Sequence, residues 1–118
     1  MLFRSVLAGG GSRGHDALGE FSVNALSAGH PVMQGVTASF KIIDELYYVA
    51  PDEKGAPIEV LAETSPSKKF NHPHPSVFIV KHPQARIVGL AIGHDGRAHD
   101  LAEYQMLLTN AVKWSARK

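Results

Sequence analysis

The pattern of apolar and polar positions is clearest in the last third of the chain. Residues 87–92 form an apolar run with the length of a strand that is buried on both faces of a sheet. A helix is predicted after it, because apolar residues recur at intervals of three and four between Tyr104 and Ser115. Asp100 and Glu103 have the spacing of a capping box, which predicts the start of that helix.

Shorter runs of β-branched, aromatic and aliphatic residues predict further strands in the preceding two thirds of the chain. They occupy residues 21–26, 40–49, 58–62 and 76–80. Asp44 and Glu45 interrupt the second of these, and a bend is predicted there. Residues 81–85 are few enough to form the turn of a hairpin that leads into the run at 87–92. The sequence therefore predicts several short strands, one helix and long loops.

A glycine-rich segment near the start satisfies the G-x-G-x-x-G pattern through Gly9, Gly11 and Gly14. A dinucleotide site of that type needs a helix directly after the glycines. Another glycine, Gly19, and the strand-like run at 21–26 leave no room for one. The segment is therefore predicted to be a plain flexible loop.

Composition narrows the class of protein. The chain has 118 residues, of which 44% are hydrophobic and 19% charged, and these values fit a single globular domain spanning 1–118. A net charge of +1 gives no reason to expect a nucleic acid partner or an anionic membrane surface. The absence of cysteine excludes disulfides, thiolate metal sites and a cysteine nucleophile. A cytoplasmic protein is expected.

The segment 93–99 joins the predicted buried strand to the predicted helix and is rich in ionisable side chains. Open α/β sheets place their sites in loops that leave the carboxyl end of a strand and enter a helix. The sequence therefore predicts the functional site beside this loop.

With these pieces in order, the chain resembles the ThuA-like, or trehalose-utilisation, family. Each motif alone is weak, but their shared order along most of the chain is fairly specific. The matching segments are the glycines and histidine of 9–15, HPVMQGV at 30–36, IDELYY at 43–48, the strand at 60–62, HPSV at 74–77, RIVGLAIGHD at 86–95 and the helix from Tyr104 to Trp114.

The resemblance implies an α/β, flavodoxin-like fold related to class I glutamine amidotransferases. It covers only the carboxyl-terminal portion, so a partial sheet is expected, with the amino-terminal half of the domain missing from 1–118. A buried strand with one covering helix would leave an open sheet edge, through which a homo-oligomer could form. Glutaminase chemistry is excluded, because the amidotransferase relatives use a cysteine nucleophile. A role in sugar catabolism is implied, with a small-molecule sugar as partner.

His94, Glu45 and His15 are the candidate catalytic residues. His94 stands at the mouth of the predicted strand, where an imidazole can exchange protons near neutral pH. Glu45 lies in an apolar stretch and matches the family's DELY motif. His15 follows Gly14, which allows a close approach to a ligand. The competing structural interpretations are that His94 packs beneath a capped helix, that Glu45 faces solvent and that His15 is an exposed loop residue.

Asp95, Tyr47 and His30 are the candidate substrate-binding residues. Tyr47 has an apolar ring face and a hydroxyl, which suit stacking on a sugar. Alternation along a strand would direct only one of Tyr47 and Tyr48 toward a pocket. Trp114 is predicted to belong to the core, and Arg97 to be exposed.

No cofactor is predicted. Zinc is the weaker alternative, with His15, His94 and His99 as ligands and His72-x-His74 as a second pattern. Four of the seven histidines precede proline, a context that equally fits extended turns. Two functional alternatives also stay open: a binding module for a carbohydrate or small metabolite without catalysis, and an inactive truncated fragment.

Overall fold

The computed structural model describes residues 10–51, 57–82, 85–93 and 99–116, apart from the side chains of 10–13 and 50–51. Its elements are β1 (Gly10–His15), β2 (Gly19–Ala25), a 3₁₀ turn (Pro31–Met33), β3 (Ser39–Asp44), β4 (Tyr47–Pro51), β5 (Ile58–Thr64), β6 (Pro75–His82), β7 (Ala85–Leu90) and α1 (Ala102–Ser115). The predicted strands, the bend at Asp44–Glu45 and the late helix are confirmed.

The strands form a five-stranded sheet in the order β3-β2-β5-β6-β7 and a two-stranded sheet, β1-β4. Every pairing among the described strands is antiparallel. The mixed α/β class is confirmed, but the parallel pairing of a flavodoxin-like sheet is not found in this part of the chain. The physical reason is visible at β6 and β7, which only two residues separate, since so short a connection allows only antiparallel neighbours.

In the described part of the chain β7 lies at the edge of the sheet, and its apolar run is half-buried rather than buried on both faces as predicted. Among the described strands it pairs only with β6, and Ile87, Val88 and Leu90 are half-buried. Gly89 faces the ring of Phe78, which would lie 2.2 Å from a Cβ at that position. The aromatic ring thus occupies the space that a side chain at 89 would take. The apolar composition of β7 therefore reflects such packing against the neighbouring strand β6.

Helix α1 packs on the core through a narrow stripe. Leu107 is fully buried and Ala111 nearly so, and Tyr104 and Trp114 pack partly buried beside them. The helix also secures the 3₁₀ turn, because the Asn110 amide donates to the carbonyls of Val32 and Gln34 at 2.9 and 2.7 Å. Leu108 and Val112 also fit the predicted repeat of apolar residues at intervals of three and four, but both are exposed.

The predicted capping box does not form. The helix begins at Ala102, and the residue before it, Leu101, has no side chain that can cap. Glu103 accepts a hydrogen bond from the Thr37 hydroxyl at 3.1 Å instead. The carboxylate therefore connects the helix to the segment before β3.

The glycine-rich segment was predicted to be a loop, but residues 10–15 form β1. This strand pairs with β4 in a register that places Ser12 opposite Val49 and His15 opposite Tyr47. Since His15 ends β1 and Tyr47 begins β4, the pairing brings the predicted site residues of two distant segments together.

No helix in the described part of the chain is long and apolar enough to cross a membrane.

Candidate functional site

Three predicted site residues lie together at the end of the β1-β4 pair. The Nδ1 atom of His15 is 3.6 Å from a carboxylate oxygen of Glu45, and the Tyr47 hydroxyl donates to the other oxygen at 3.3 Å. The rings of His15 and Tyr47 meet edge to face, with centroids 5.4 Å apart. We call these residues the His15–Glu45–Tyr47 cluster.

The surroundings of His15 determine which of its nitrogens carries a proton. Nδ1 lies 2.8 Å from the carbonyl oxygen of Asp16, and a carbonyl can only accept. In the neutral ring, Nδ1 therefore donates to that oxygen and Nε2 is the basic nitrogen. The side chain of His15 is 41% exposed and that of Glu45 19%, so a ligand from solvent can reach the imidazole.

Tyr47 is held in its neutral, hydrogen-donating form. Burial, together with the charge of Glu45 and the hydrogen bond to it, raises the pKa of Tyr47 above the ordinary value of 10.0. The cluster thus places a neutral hydroxyl, a carboxylate and an imidazole within contact of one another. This combination can bind sugar hydroxyls and can exchange protons with them.

A buried aspartate supports the cluster from below. Asp44 is fully buried, and one carboxylate oxygen accepts from the backbone N–H of Glu45 at 2.8 Å. The other oxygen accepts from the N–H of Gly93 at 2.6 Å. Asp44, Glu45 and Tyr47 each have further interactions beyond these. The bend that carries Glu45 is therefore tied to the chain that leaves β7.

Gly93 occupies a position that only glycine suits. Its φ is +98°, and a Cβ would lie 2.5 Å from the ring of Tyr104. His99 contacts the Gly93 carbonyl through Nε2 at 2.5 Å and stacks on Tyr104 with centroids 5.0 Å apart. The residue before His94 is thus fixed beside Asp44. His94, Asp95 and Arg97 themselves lie outside the described residues.

A second aspartate, Asp16, directly follows His15 and is anchored by its own carboxylate. Its carboxylate accepts from the Tyr48 hydroxyl and, at 2.8 Å, from the backbone N–H of Lys68. Burial alone would raise the pKa of Asp16, but these hydrogen bonds and that of Lys69 outweigh it, so the pKa lies below the ordinary 3.8. The hydrogen bond to Asp16, burial and the charge of Asp16 raise the pKa of Tyr48 to about 12.

The two adjacent tyrosines face opposite sides, as alternation along a strand predicts. Tyr48 is buried against Phe70 and His74, with ring centroids 4.9 and 5.4 Å away. Tyr47 contacts His15 and Glu45 on the other side.

His30 lies at the 3₁₀ turn, where its Nδ1 accepts from the N–H of Val32 at 3.1 Å. Its ring packs on Trp114, with centroids 5.3 Å apart, and the guanidinium of Arg86 lies 5.0 Å from the Trp114 ring centroid. These contacts cap the turn and hold it on the helix. A substrate-binding role for His30 stays a prediction.

His72 and His74 stand close together, with ring centroids 4.5 Å apart. His74 is buried, its Nε2 is 2.9 Å from the Ser67 hydroxyl, and a backbone hydrogen bond joins it to Val49. These bonds occupy the ring and fit a structural role in the turn between β5 and β6. In the described part of the chain, no group of three or more His, Asp or Glu side chains is arranged to hold a metal ion.

Acid is expected to destabilise the protein through His74. Burial and the nearby charge of His72 lower the pKa of His74 below its ordinary value of 6.5. Because the unfolded chain binds this proton more readily, the stabilisation is complete above pH 6.5 and is lost as the pH falls through the folded-state pKa. One proton gives a slope of at most about 1.4 kcal/mol per pH unit.

Urea unfolding between pH 7 and pH 5 measures this slope. The His74→Gln variant keeps hydrogen bonding to Ser67 but cannot titrate, so its stability should vary less with pH than that of the wild type. The exposed neighbour provides the control, since His72→Gln should retain most of the dependence. Equal slopes in the wild type and His74→Gln would show that another group is responsible.

Sequence reasoning identified His15, Glu45 and Tyr47 but missed the supporting roles of Asp16 and Asp44. A signal was present for Asp44, which falls at an inward position of the alternating strand β3, after the buried Phe40 and Ile42. A carboxylate on an apolar face needs hydrogen-bonding partners, and its presence there indicates that it has them. Nothing in the local pattern around Asp16 distinguishes it from a solvent-exposed loop residue.

Comparison with known proteins agrees with this fold. The model of the ThuA family, described as trehalose utilisation, matches residues 2–115. No curated protein matches the chain. Two solved structures are similar: a ThuA-like protein from Parabacteroides merdae, with a TM-score of 0.71, and one from Bacteroides uniformis, with a TM-score of 0.74. Both are 24% identical over 93% of this chain, which spans 43% and 49% of their respective lengths.

Proposed function

The chain belongs to the ThuA, or trehalose-utilisation, family, and from that premise we propose that it takes part in the catabolism of trehalose-type sugars. The site is the His15–Glu45–Tyr47 cluster, where a small carbohydrate binds. The single observation that supports this most strongly is the 3.6 Å approach of His15 to Glu45, since it joins a proton-exchanging ring to a carboxylate at an accessible position.

Each member of the cluster has a separate task in this proposal. Nε2 of His15 accepts a proton from a sugar hydroxyl or returns it to a carbonyl, because Nδ1 is engaged with the Asp16 carbonyl. Glu45 stabilises the imidazolium that forms and accepts a hydrogen bond from the sugar. Tyr47 offers its ring edge and its neutral hydroxyl.

Two further residues are proposed to belong to the site, His94 as a catalytic residue and Asp95 as a substrate-binding residue. The support is the hydrogen bond from the Gly93 N–H to Asp44, which fixes the preceding residue near the bend that carries Glu45. His30 is retained as a proposed substrate-binding residue.

The same proposal includes the setting of the protein. The chain acts in the cytoplasm, and it forms the carboxyl-terminal portion of a domain that is flavodoxin-like as a whole. No nucleic acid, membrane, metal or organic cofactor is proposed as a partner. Copies of the chain associate through the open edge of β7, which pairs only with β6 among the described strands.

Calorimetric titration with trehalose tests the proposal. We expect saturable binding by the wild type and about ten- to hundredfold weaker binding by Glu45→Gln, because hydrogen bonds to a charged group are lost. The control is Glu20→Gln, an exposed glutamate on β2, and it should bind as the wild type does. No binding by the wild type, or equal affinity in all three proteins, would contradict the proposal.

A further inference from the structure

Asp44 is a buried charge that joins two segments far apart in sequence. It lies at the end of β3 with no exposed surface, and its two oxygens accept from the N–H groups of Glu45 and Gly93 at 2.8 and 2.6 Å. Taking a carboxylate out of water costs several kcal/mol, and replacing a buried charge with a well-packed apolar residue is often neutral or stabilising. Stability alone is therefore a poor explanation for an aspartate at this position.

An apolar residue would suit the local pattern better. Strand β3 alternates exposed and buried positions, and the other buried members are Phe40 and Ile42. A valine or leucine at 44 would continue this face without the desolvation cost. What an apolar side chain could not do is hold the backbone of Glu45 and of Gly93 at once.

One of these segments carries Glu45, and the other precedes the proposed site residues His94 and Asp95. The Glu45 N–H bond orients the residue whose side chain contacts His15 and Tyr47. The Gly93 N–H bond fixes the chain just after β7, and His99 contacts the carbonyl of the same residue. The carboxylate thus sets the distance between the bend and Gly93.

We propose that Asp44 is a positioning residue that aligns Glu45 with His15 by clamping the bend to Gly93. The inference rests on the proposed function for its effect on a sugar, but the alignment itself is a property of the free protein. Asp44 is buried beneath Glu45 and acts on the ligand only through that neighbour. Its loss should therefore change the geometry of the His15–Glu45–Tyr47 cluster even when no ligand is present.

Solution NMR on the full chain tests the alignment without any ligand. Asp44→Asn keeps the shape of the side chain but replaces one accepting oxygen with an amide that cannot accept, while Asp44→Ala removes both acceptors. We expect the Gly93 amide proton to move upfield and to exchange about tenfold faster or more in Asp44→Ala, with Asp44→Asn intermediate. The nuclear Overhauser effects between the His15 ring and the Glu45 side chain should weaken in the same order.

The control is Asp100→Asn, at an exposed aspartate, which should match the wild type in every measurement. If Asp44→Ala fails to fold, Asp44→Asn alone decides the question. A Gly93 amide that does not change would overturn the clamp, and unchanged His15–Glu45 contacts would overturn the positioning role.

Trehalose affinity then separates this inference from the proposed function. If the wild type binds trehalose, Asp44→Asn should bind it about tenfold more weakly, in line with one lost charged hydrogen bond. With a wild type that does not bind, the proposed function fails, while the amide and ring contacts still decide whether Asp44 aligns Glu45. Wild-type affinity in Asp44→Asn would contradict the inference alone.

Discussion

Replacing Leu107 with alanine is expected to lower the free energy of unfolding by about 2–5 kcal/mol. The side chain is fully buried within the main core, between helix α1 and the sheet. Alanine would remove its apolar contacts and leave a cavity, because the core cluster to which Leu107 belongs is close-packed and cannot collapse freely into the space. Urea denaturation with a fixed m-value measures the loss.

The adjacent residue supplies a matched control. Leu108 is 43% exposed, so Leu108→Ala makes the same chemical change on the same helix turn at a position that water already reaches. Its effect should stay within about 0.5 kcal/mol. Similar losses for both variants would mean that α1 does not face the core as described, and the position of Tyr104 against Gly93 would then also be in doubt.

The second large effect concerns turnover. If trehalose is converted at the His15–Glu45–Tyr47 cluster, His15→Gln is expected to lower kcat by about 10²- to 10⁴-fold, the usual contribution of a general acid or base. The glutamine amide can donate to the Asp16 carbonyl, as Nδ1 of His15 does, but it cannot exchange a proton. The affinity for trehalose should therefore change far less than kcat.

The difference between the effects on kcat and on affinity is measured by following product formation in three proteins: the wild type, His15→Gln and the exposed-glutamate control Glu20→Gln. A wild type that binds trehalose but forms no product would favour the alternative function, a carbohydrate-binding module. His15→Gln with the kcat of the wild type would exclude His15 as the proton-exchanging group. A parallel His94→Ala variant tests the proposed partner from the segment that follows Gly93.

The sequence predicted the local elements well, because short β-branched runs and a three-four apolar repeat are governed by near neighbours. It failed where burial depends on distant partners. The run at 87–92 has the composition of a central strand, but β7 pairs only with β6 among the described strands and so lies at an edge. Leu108 fits the helix repeat, yet the core contacts the helix only along the stripe that contains Leu107.

The site was predicted in part for a similar reason. Motif resemblance identified His15 and Glu45, whereas their contact depends on the register of β1 with β4, and the glycines of β1 had predicted a loop. The supporting aspartates depend on even longer connections: Asp44 reaches Gly93, and Asp16 reaches Lys68. Such hydrogen bonds leave no periodic signal in the sequence.

The central claim, that His15 and Tyr47 line a carbohydrate site with Glu45, is tested most directly by following ring proton resonances during a trehalose titration. We expect the signals of His15 and Tyr47 to shift together and to saturate at one dissociation constant. The ring resonances of His72 and Trp114, which do not belong to the His15–Glu45–Tyr47 cluster, should not shift. Saturable binding that shifts other resonances and leaves His15 and Tyr47 unmoved would contradict the central claim.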